Sequence, residues 1–353
     1  CQLMQLHFGF NEEEEYVPPP ELIEGLVSKD SLTFIYGHPG TGKSILAMGL
    51  AATLAEEEQT FFGRACSPSI VIVLCGEDLR GMREKNAAIH KKRMLNGYDD
   101  VVIGVLGGDE LSLVGANVSQ TVTSVSEAFE EAESFYVSRS GKPLPRDINR
   151  VLIADTWSSL TPGMDENSAK ETSVALQSLQ RIKDSGVDAV FVTHHSGKSQ
   201  GKSLRGHSGL SARADNIWHI TKKGGKSIIQ VEKAKHHENG ERFGFEIGTV
   251  EVSFSNAGIS KTLPYFRPMS SLNENKRELN INYTLLLNEV SRLMEVGVGA
   301  TRRLLCDNLQ AQNNCFAGYQ DPKKAVDRAV LLLVAEGWLE EKNGVLSRID
   351  TAN

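Results

Sequence analysis

Residues 37–44 read Gly-His-Pro-Gly-Thr-Gly-Lys-Ser, and this octet constrains the chain more than any other feature. It follows Ser31–Tyr36, a short apolar run that predicts a strand. It leads into Thr41–Glu57, whose spacing predicts a helix. Glycines at 37, 40 and 42 let the backbone turn tightly and aim its N–H groups inward. The following helix adds the positive end of its dipole. The Lys43 ammonium neutralises phosphate charge and the Ser44 hydroxyl can reach a divalent cation. The octet therefore demands a strand–loop–helix unit that cradles phosphate groups, built from His38, Pro39, Thr41 and Ile45 as well as the residues just named.

The flanking sequence supplies neighbours for that strand. Ser69–Cys75, Val101–Leu106, Arg150–Asp155 and Ala189–Thr193 read as strands. Leu79–Leu95, Ser119–Val137 and Ser168–Ser185 read as helices between them. The strands are apolar on both faces, which predicts a parallel sheet covered on both sides. The rhythm changes after Thr193. Asn216–Thr221, Ser227–Glu232 and Phe243–Ile247 read as antiparallel hairpin strands at the sheet edge. Ser255–Lys276, with Pro264 and Pro268, reads as a linker. Ile281–Val296, Ala300–Leu309 and Asp321–Glu336 read as helices, the last with Asp321 as N-cap before Pro322. Trp338–Ile349 reads as a hairpin about Lys342-Asn343-Gly344. Three helices and a hairpin give the element order of a winged helix. Glu12–Glu15 and Pro18–Pro20 read as an extended arm. The expected divisions are an arm over 1–30, a nucleotide-binding core over 31–254, a linker over 255–277 and a winged-helix-like domain over 278–353.

Composition narrows the class. With 40% hydrophobic and 24% charged residues, the 353-residue chain has the makeup of a globular protein rather than a disordered one. No apolar run approaches the ~20 residues of a membrane span, and without a charged-then-apolar opening no secretory signal is expected. Five cysteines without a Cys-x-x-Cys pair argue against a disulfide framework and a zinc site. A reducing, cytoplasmic setting and no membrane partner are expected. The net charge of −7 is unevenly spread. Between Thr193 and Arg242, ten Lys or Arg residues oppose four acidic ones, which points to a local site for a polyanion. Residues 276–353 carry ten basic and ten acidic side chains. The C-terminal module is therefore as well suited to a protein partner as to DNA, despite Lys323, Lys324 and Arg328.

Four further groups have chemistry to offer. Asp155 ends an apolar strand and is placed to act with Ser44 on a Mg²⁺ ion. Glu77 lies just past another strand end, where a carboxylate can orient or deprotonate water, while Asp78 caps the helix that follows. His194 and His195 end a third strand, in reach of a terminal phosphate. The loop Ser196–Gly209 carries Lys198, Lys202 and Arg205 among glycines and serines, a composition that can follow a nucleic-acid backbone without reading sequence.

Taken together, GHPGTGKS (37–44), GED (76–78), LIADT (152–156), DENSA (165–169), THHSGK (193–198), LRGHSGLSARADNIW (204–218) and VEKAKHHENG (231–240) resemble RecA/DnaB-type P-loop ATPases. More narrowly, the set is similar to the RepA-like hexameric helicases of plasmids and phages, over about residues 31–250. The resemblance implies a RecA-like α/β core that hydrolyses ATP with Mg²⁺. Glu77 would be the catalytic carboxylate, and His194 or His195 the sensor of nucleotide state. Residues 196–209 would be a loop that contacts single-stranded DNA. Lys233 or Lys235, one residue apart on a strand, would reach a neighbouring subunit's nucleotide, with Arg242 as the alternative. The expected assembly is a homo-oligomer, a hexameric ring translocating on single-stranded DNA. Rival readings are a recombination or loader ATPase that does not unwind DNA, and a nucleotide-switched DNA-binding regulator.

Overall fold

The computed structural model describes residues 19–56, 60–94, 103–108, 110–197, 204–254, 258–269, 281–313, 322–335 and 339–348. The chain divides into two compact units, residues 1–267 and 268–353.

In the first unit the strands are β1 Glu21–Ile23, β2 Val27–Ser28, β3 Ser31–Gly37, β4 Thr60–Phe61, β5 Arg64–Ala65, β6 Ser69–Cys75, β7 Ile103–Gly107, β8 Asn149–Asp155, β9 Ala189–His195, β10 Asn216–Lys223, β11 Lys226–Ala234, β12 Arg242–Phe254 and β13 Ile259–Pro268. The helices are α1 Lys43–Ala55, α2 Leu79–Met94, α3 Val118–Ser140, α4 Trp157–Leu160, α5 Ala169–Asp184 and α6 Gly209–Arg213. Nine of the described strands form one sheet in the order β13-β12-β11-β10-β3-β9-β8-β6-β7. Every pairing from β10 to β7 is parallel, and β11 pairs antiparallel with both β10 and β12. This is the expected α/β fold, a mostly parallel sheet with an antiparallel edge.

Alternation along the central strands explains the two layers. Ile35 belongs with Leu46, Leu50 and Leu54 of α1 and Met82 and Ile89 of α2 on one face. Phe34 and Tyr36 belong with Phe129 of α3 and Leu176, Leu179 and Ile182 of α5 on the other. With both faces covered, strand side chains must be apolar throughout, as the sequence shows.

Two expectations need correction. Residues 21–28 do not form an extended arm. β1 and β2 pair, and Leu22, Ile23, Leu26 and Val27 are buried in the same cluster as α1. The acidic and proline-rich stretch masked this short apolar run. Residues 259–268 are not linker either, because β13 is the outermost strand of the large sheet. An edge strand tolerates Pro264 and Pro268, which lack a ladder donor. Phe266 of β13 also packs where a Cβ on Gly49 would lie 2.3 Å from its ring, so glycine at 49 is required for that contact.

The second unit contains α7 Ile281–Glu295, α8 Arg302–Asn313, α9 Pro322–Ala335, β14 Leu339–Lys342 and β15 Val345–Arg348. Its own core joins Leu286, Val290 and Leu293 to Leu305, Val326, Val330, Leu333, Leu339 and Leu346. β14 and β15 pair across the Asn343-Gly344 turn, and the Leu346 N–H donates to the Ala300 carbonyl. The helix–helix–helix–hairpin order is the expected one. Asp321 lies outside the described residues. Among the described residues, no helix is long and apolar enough to cross a membrane.

Candidate nucleotide site and its neighbouring loop

The octet turns at the end of β3. Gly40 and Gly42 take φ of +77° and +96°, a region that glycine enters without strain. A Cβ on Gly37 would lie 2.4 Å from the Ile220 backbone oxygen, so only glycine lets β3 and β10 run together here. Lys43 opens α1, and its ammonium donates to the carbonyls of Gly37 (2.9 Å) and His38 (3.1 Å). Burial holds this ammonium below the usual lysine range, while Asp155 and Glu77 pull it back up. Those two carboxylates therefore share an electrostatic field with Lys43.

Three strand ends supply the facing groups. Asp155 closes β8 and is only 4% exposed, and the Thr193 hydroxyl donates to its Oδ1. Glu77 follows β6 and is exposed, and the Thr156 hydroxyl donates to its Oε1 at 3.5 Å. Asp78 behaves as expected: its Oδ1 accepts from the Gly81 N–H at 2.9 Å at the start of α2. His194 and His195 close β9, in register with Tyr36 and Gly37. Thr193, Thr156 and Glu166 are contributors that sequence reasoning did not single out, although Thr193, Thr156 and Glu166 all lie within the conspicuous motifs.

The histidines connect this edge to the base of the following loop. The His194 Nε2 lies 3.0 Å from the Arg205 carbonyl, which can only accept, so Nε2 carries the proton and the buried Nδ1 is left without a partner. Burial pushes this imidazole down to about 3, so it is neutral at physiological pH. Burial and then the Lys43 charge lower His195 as well. The Arg205 N–H donates to the His195 carbonyl, and Ser196 bridges to Leu204, closing the loop at its stem. The Ser196 N–H donates to the Gly37 carbonyl at 3.3 Å. Arg205 itself pairs with Glu166 at 2.6 Å, and the His207 N–H donates to the Glu166 carbonyl, so the 165–169 and 204–209 motifs meet. Lys198 and Lys202 lie outside the described residues.

The two hairpin lysines occupy the other end of the sheet. Lys233 pairs in register with Ile217, and Ala234 with Asn216, which in turn pairs with Thr33. Gly37 pairs with Ile220. Four residues of strand, roughly 13 Å, separate those levels. The Lys233 ammonium donates to the carbonyls of Ser211 (3.0 Å), Ala212 (3.4 Å) and Ala214 (2.5 Å), closing the C-terminus of α6. Lys235 is 60% exposed and pairs with Asp215 at 3.1 Å. Neither is brought to the octet of its own subunit. Arg242, exposed at the start of β12, pairs in register with Gln230.

Ser44 and Asp155 are the residues that fit a divalent cation. Gly40 leaves open space where a Cβ would stand, and the buried Asp155 carboxylate acts electrostatically on Lys43, the residue before Ser44. Among the described residues no three His, Cys, Asp or Glu side chains gather into a metal site. A cation here would need substrate oxygens and water to complete its shell, as Mg²⁺ does when it bridges phosphates.

The sequence model of one family, described as an AAA domain, matches residues 1–201. No curated protein sequence matches the chain. Among solved structures it is similar to a KaiC-like protein from the hyperthermophilic archaeon Pyrococcus horikoshii, at 19% identity and a TM-score of 0.42, over 68% of this chain and 92% of that one. It is similar to the RadB recombinase at 14% identity and a TM-score of 0.39, covering 64% and 89%. It is also similar to a DnaB-like replicative helicase solved for its interactions with primase, at 11% identity and a TM-score of 0.43, covering 61% and 55%.

Proposed function

Because the chain belongs to the AAA domain family, we propose that it is a Mg²⁺-dependent ATPase whose nucleotide state drives a loop on single-stranded DNA. In this reading Gly37 to Ile45 bind the phosphates. Ser44 and Asp155 hold the cation, which neutralises phosphate charge. Glu77 orients and deprotonates water against the terminal phosphate. The observation that carries the reading is the continuity of β9 with both partners. Ser196, just past β9, touches Gly37, and His194 and His195 grip Arg205 at the stem of the loop. A change at the terminal phosphate is therefore felt by the loop through one strand end.

The finer assignment is a ring-forming helicase. Lys235, exposed and at the sheet end away from its own octet, is the residue suited to reach a neighbour's nucleotide. The C-terminal unit, read as winged-helix-like, would bind protein or DNA. The test is ATP turnover with and without single-stranded DNA, alongside strand displacement of a forked duplex. Stimulation with displacement supports the helicase. Stimulation without displacement supports a loader or recombination ATPase. Absence of stimulation refutes coupling through β9.

A further inference from the structure

The β10–β11 hairpin carries Lys222, Lys223 and Lys226 with no acidic residue among them. It overhangs the sheet edge where the octet sits. Ile220 is level with Gly37, so Lys222 lies two residues, roughly 7 Å, beyond the last residue of β3. Gly224 and Gly225 both have positive φ, at +59° and +81°, and Lys223 pairs with Lys226. That is a two-residue turn of the kind that fixes a hairpin's tip.

The hairpin is docked on the octet. Lys222 pairs in register with Ser227, whose hydroxyl donates to the Thr41 carbonyl at 2.8 Å. Phe245, opposite Ser227 on β12, sits where a Cβ on Gly42 would lie 3.1 Å from its ring. Strand alternation then orients the lysines. Trp218 and Ile220 face the α1 layer, so Lys222 is on that same face, the side of the octet and the start of α1. Lys223 belongs to the opposite face, with His219 and Thr221.

The two sides of the octet differ in chemistry. Asp155, Glu77 and His195 stand on or just past β8, β6 and β9, to one side of β3, and the lysine hairpin stands to the other. A phosphate chain whose terminal group faces Glu77 directs its nucleoside end toward β10. We propose that Lys222 is a phosphate-binding residue of this site, holding the nucleoside-side phosphates shared by a nucleoside di- and triphosphate. The assignment rests on the nucleotide-binding reading given under Proposed function. It makes Lys222 a contributor to ground-state binding and not to the chemical step.

The test compares Lys222→Ala, Lys222→Arg and Lys223→Ala in the full chain. Equilibrium binding of ATP, of ADP and of single-stranded DNA is measured, with steady-state turnover over a range of ATP concentrations. Lys222→Ala should weaken ATP and ADP by the same factor, about tenfold, the scale of one charge-assisted contact. The ATP concentration giving half-maximal turnover should rise by a similar factor. Lys222→Arg should retain binding, and Lys223→Ala should change it less than about twofold. Equal losses at 222 and 223, a loss for ATP but not ADP, or unchanged binding in Lys222→Ala would each overturn the assignment. Failure of the parental protein to bind either nucleotide would overturn the parent reading as well. A defect confined to single-stranded DNA affinity would assign the hairpin to nucleic acid and overturn the proposal.

Discussion

Replacing Lys233 by Met separates two roles that the sequence left joined. The stem of the side chain is kept and its three donors are lost. In the structure these donors close α6 by bonding the carbonyls of Ser211, Ala212 and Ala214. A hydrogen bond to a charged group contributes about 1.5–3 kcal/mol, and a cation at a helix C-terminus up to about 1 kcal/mol when exposed. Lys233 is half-buried, so a loss of about 2 kcal/mol is expected. For a unit of this size that lowers the melting temperature by roughly 4–8 °C. Lys235→Met removes only an exposed pair with Asp215, worth about 0–1 kcal/mol, and should move the transition by no more than about 4 °C. Scanning calorimetry of the parental, Lys233→Met and Lys235→Met proteins reads the difference directly. An unmoved transition in Lys233→Met, or a larger shift in Lys235→Met, would refute the capping role.

Lys43→Ala should abolish nucleotide binding in a titration with a fluorescent ATP analogue, since the buried ammonium and its phosphate contact vanish together. Glu77→Gln should bind ATP at parental affinity yet fail to turn it over, as single-turnover measurements would reveal. Gly37→Ala should destabilise by about 1–3 kcal/mol in urea unfolding, because the new Cβ meets backbone at Ile220 and not a movable side chain. Acidification should weaken the fold through His194. Its folded pKa, about 3, lies below the ~6.5 of the unfolded chain, so the unfolded state takes up the extra proton between those values. Stability is then full above ~6.5 and falls by about 1.4 kcal/mol by pH 5.5. His194→Asn should flatten that part of the urea-midpoint profile. Burial of His90, His195 and His237 leaves a residual slope of the same sign.

The legible parts of the chain were those in which local pattern and tertiary role agree. Val71 to Leu74 and Leu152 to Ala154 are apolar because both faces of their strands are covered, and they read as buried parallel strands. Asn343-Gly344 announced its hairpin because only residues at ease with positive φ fit that turn. Illegible were features set by distant partners. Pro264 and Pro268 read as linker because an edge position is a property of the assembled sheet. Lys233 and Lys235 have the same charge and neighbouring positions, yet one closes a helix about twenty residues upstream and the other stands exposed. The approach of Ser227 to Thr41 joins residues 186 positions apart, and local spacing carries no trace of it.

In the proposed mechanism the octet, Asp155 and Glu77 form one hydrolytic site coupled through β9 to a DNA-contacting loop. The most direct test is phosphate release from Mg²⁺-ATP by the purified parental protein, measured with and without single-stranded DNA, with Lys43→Ala as the matched control. Turnover by the parental protein should rise when DNA is added, and the Lys43→Ala protein should show none in either condition. Equal phosphate release from the parental and Lys43→Ala proteins, or parental turnover indifferent to DNA, would contradict the mechanism.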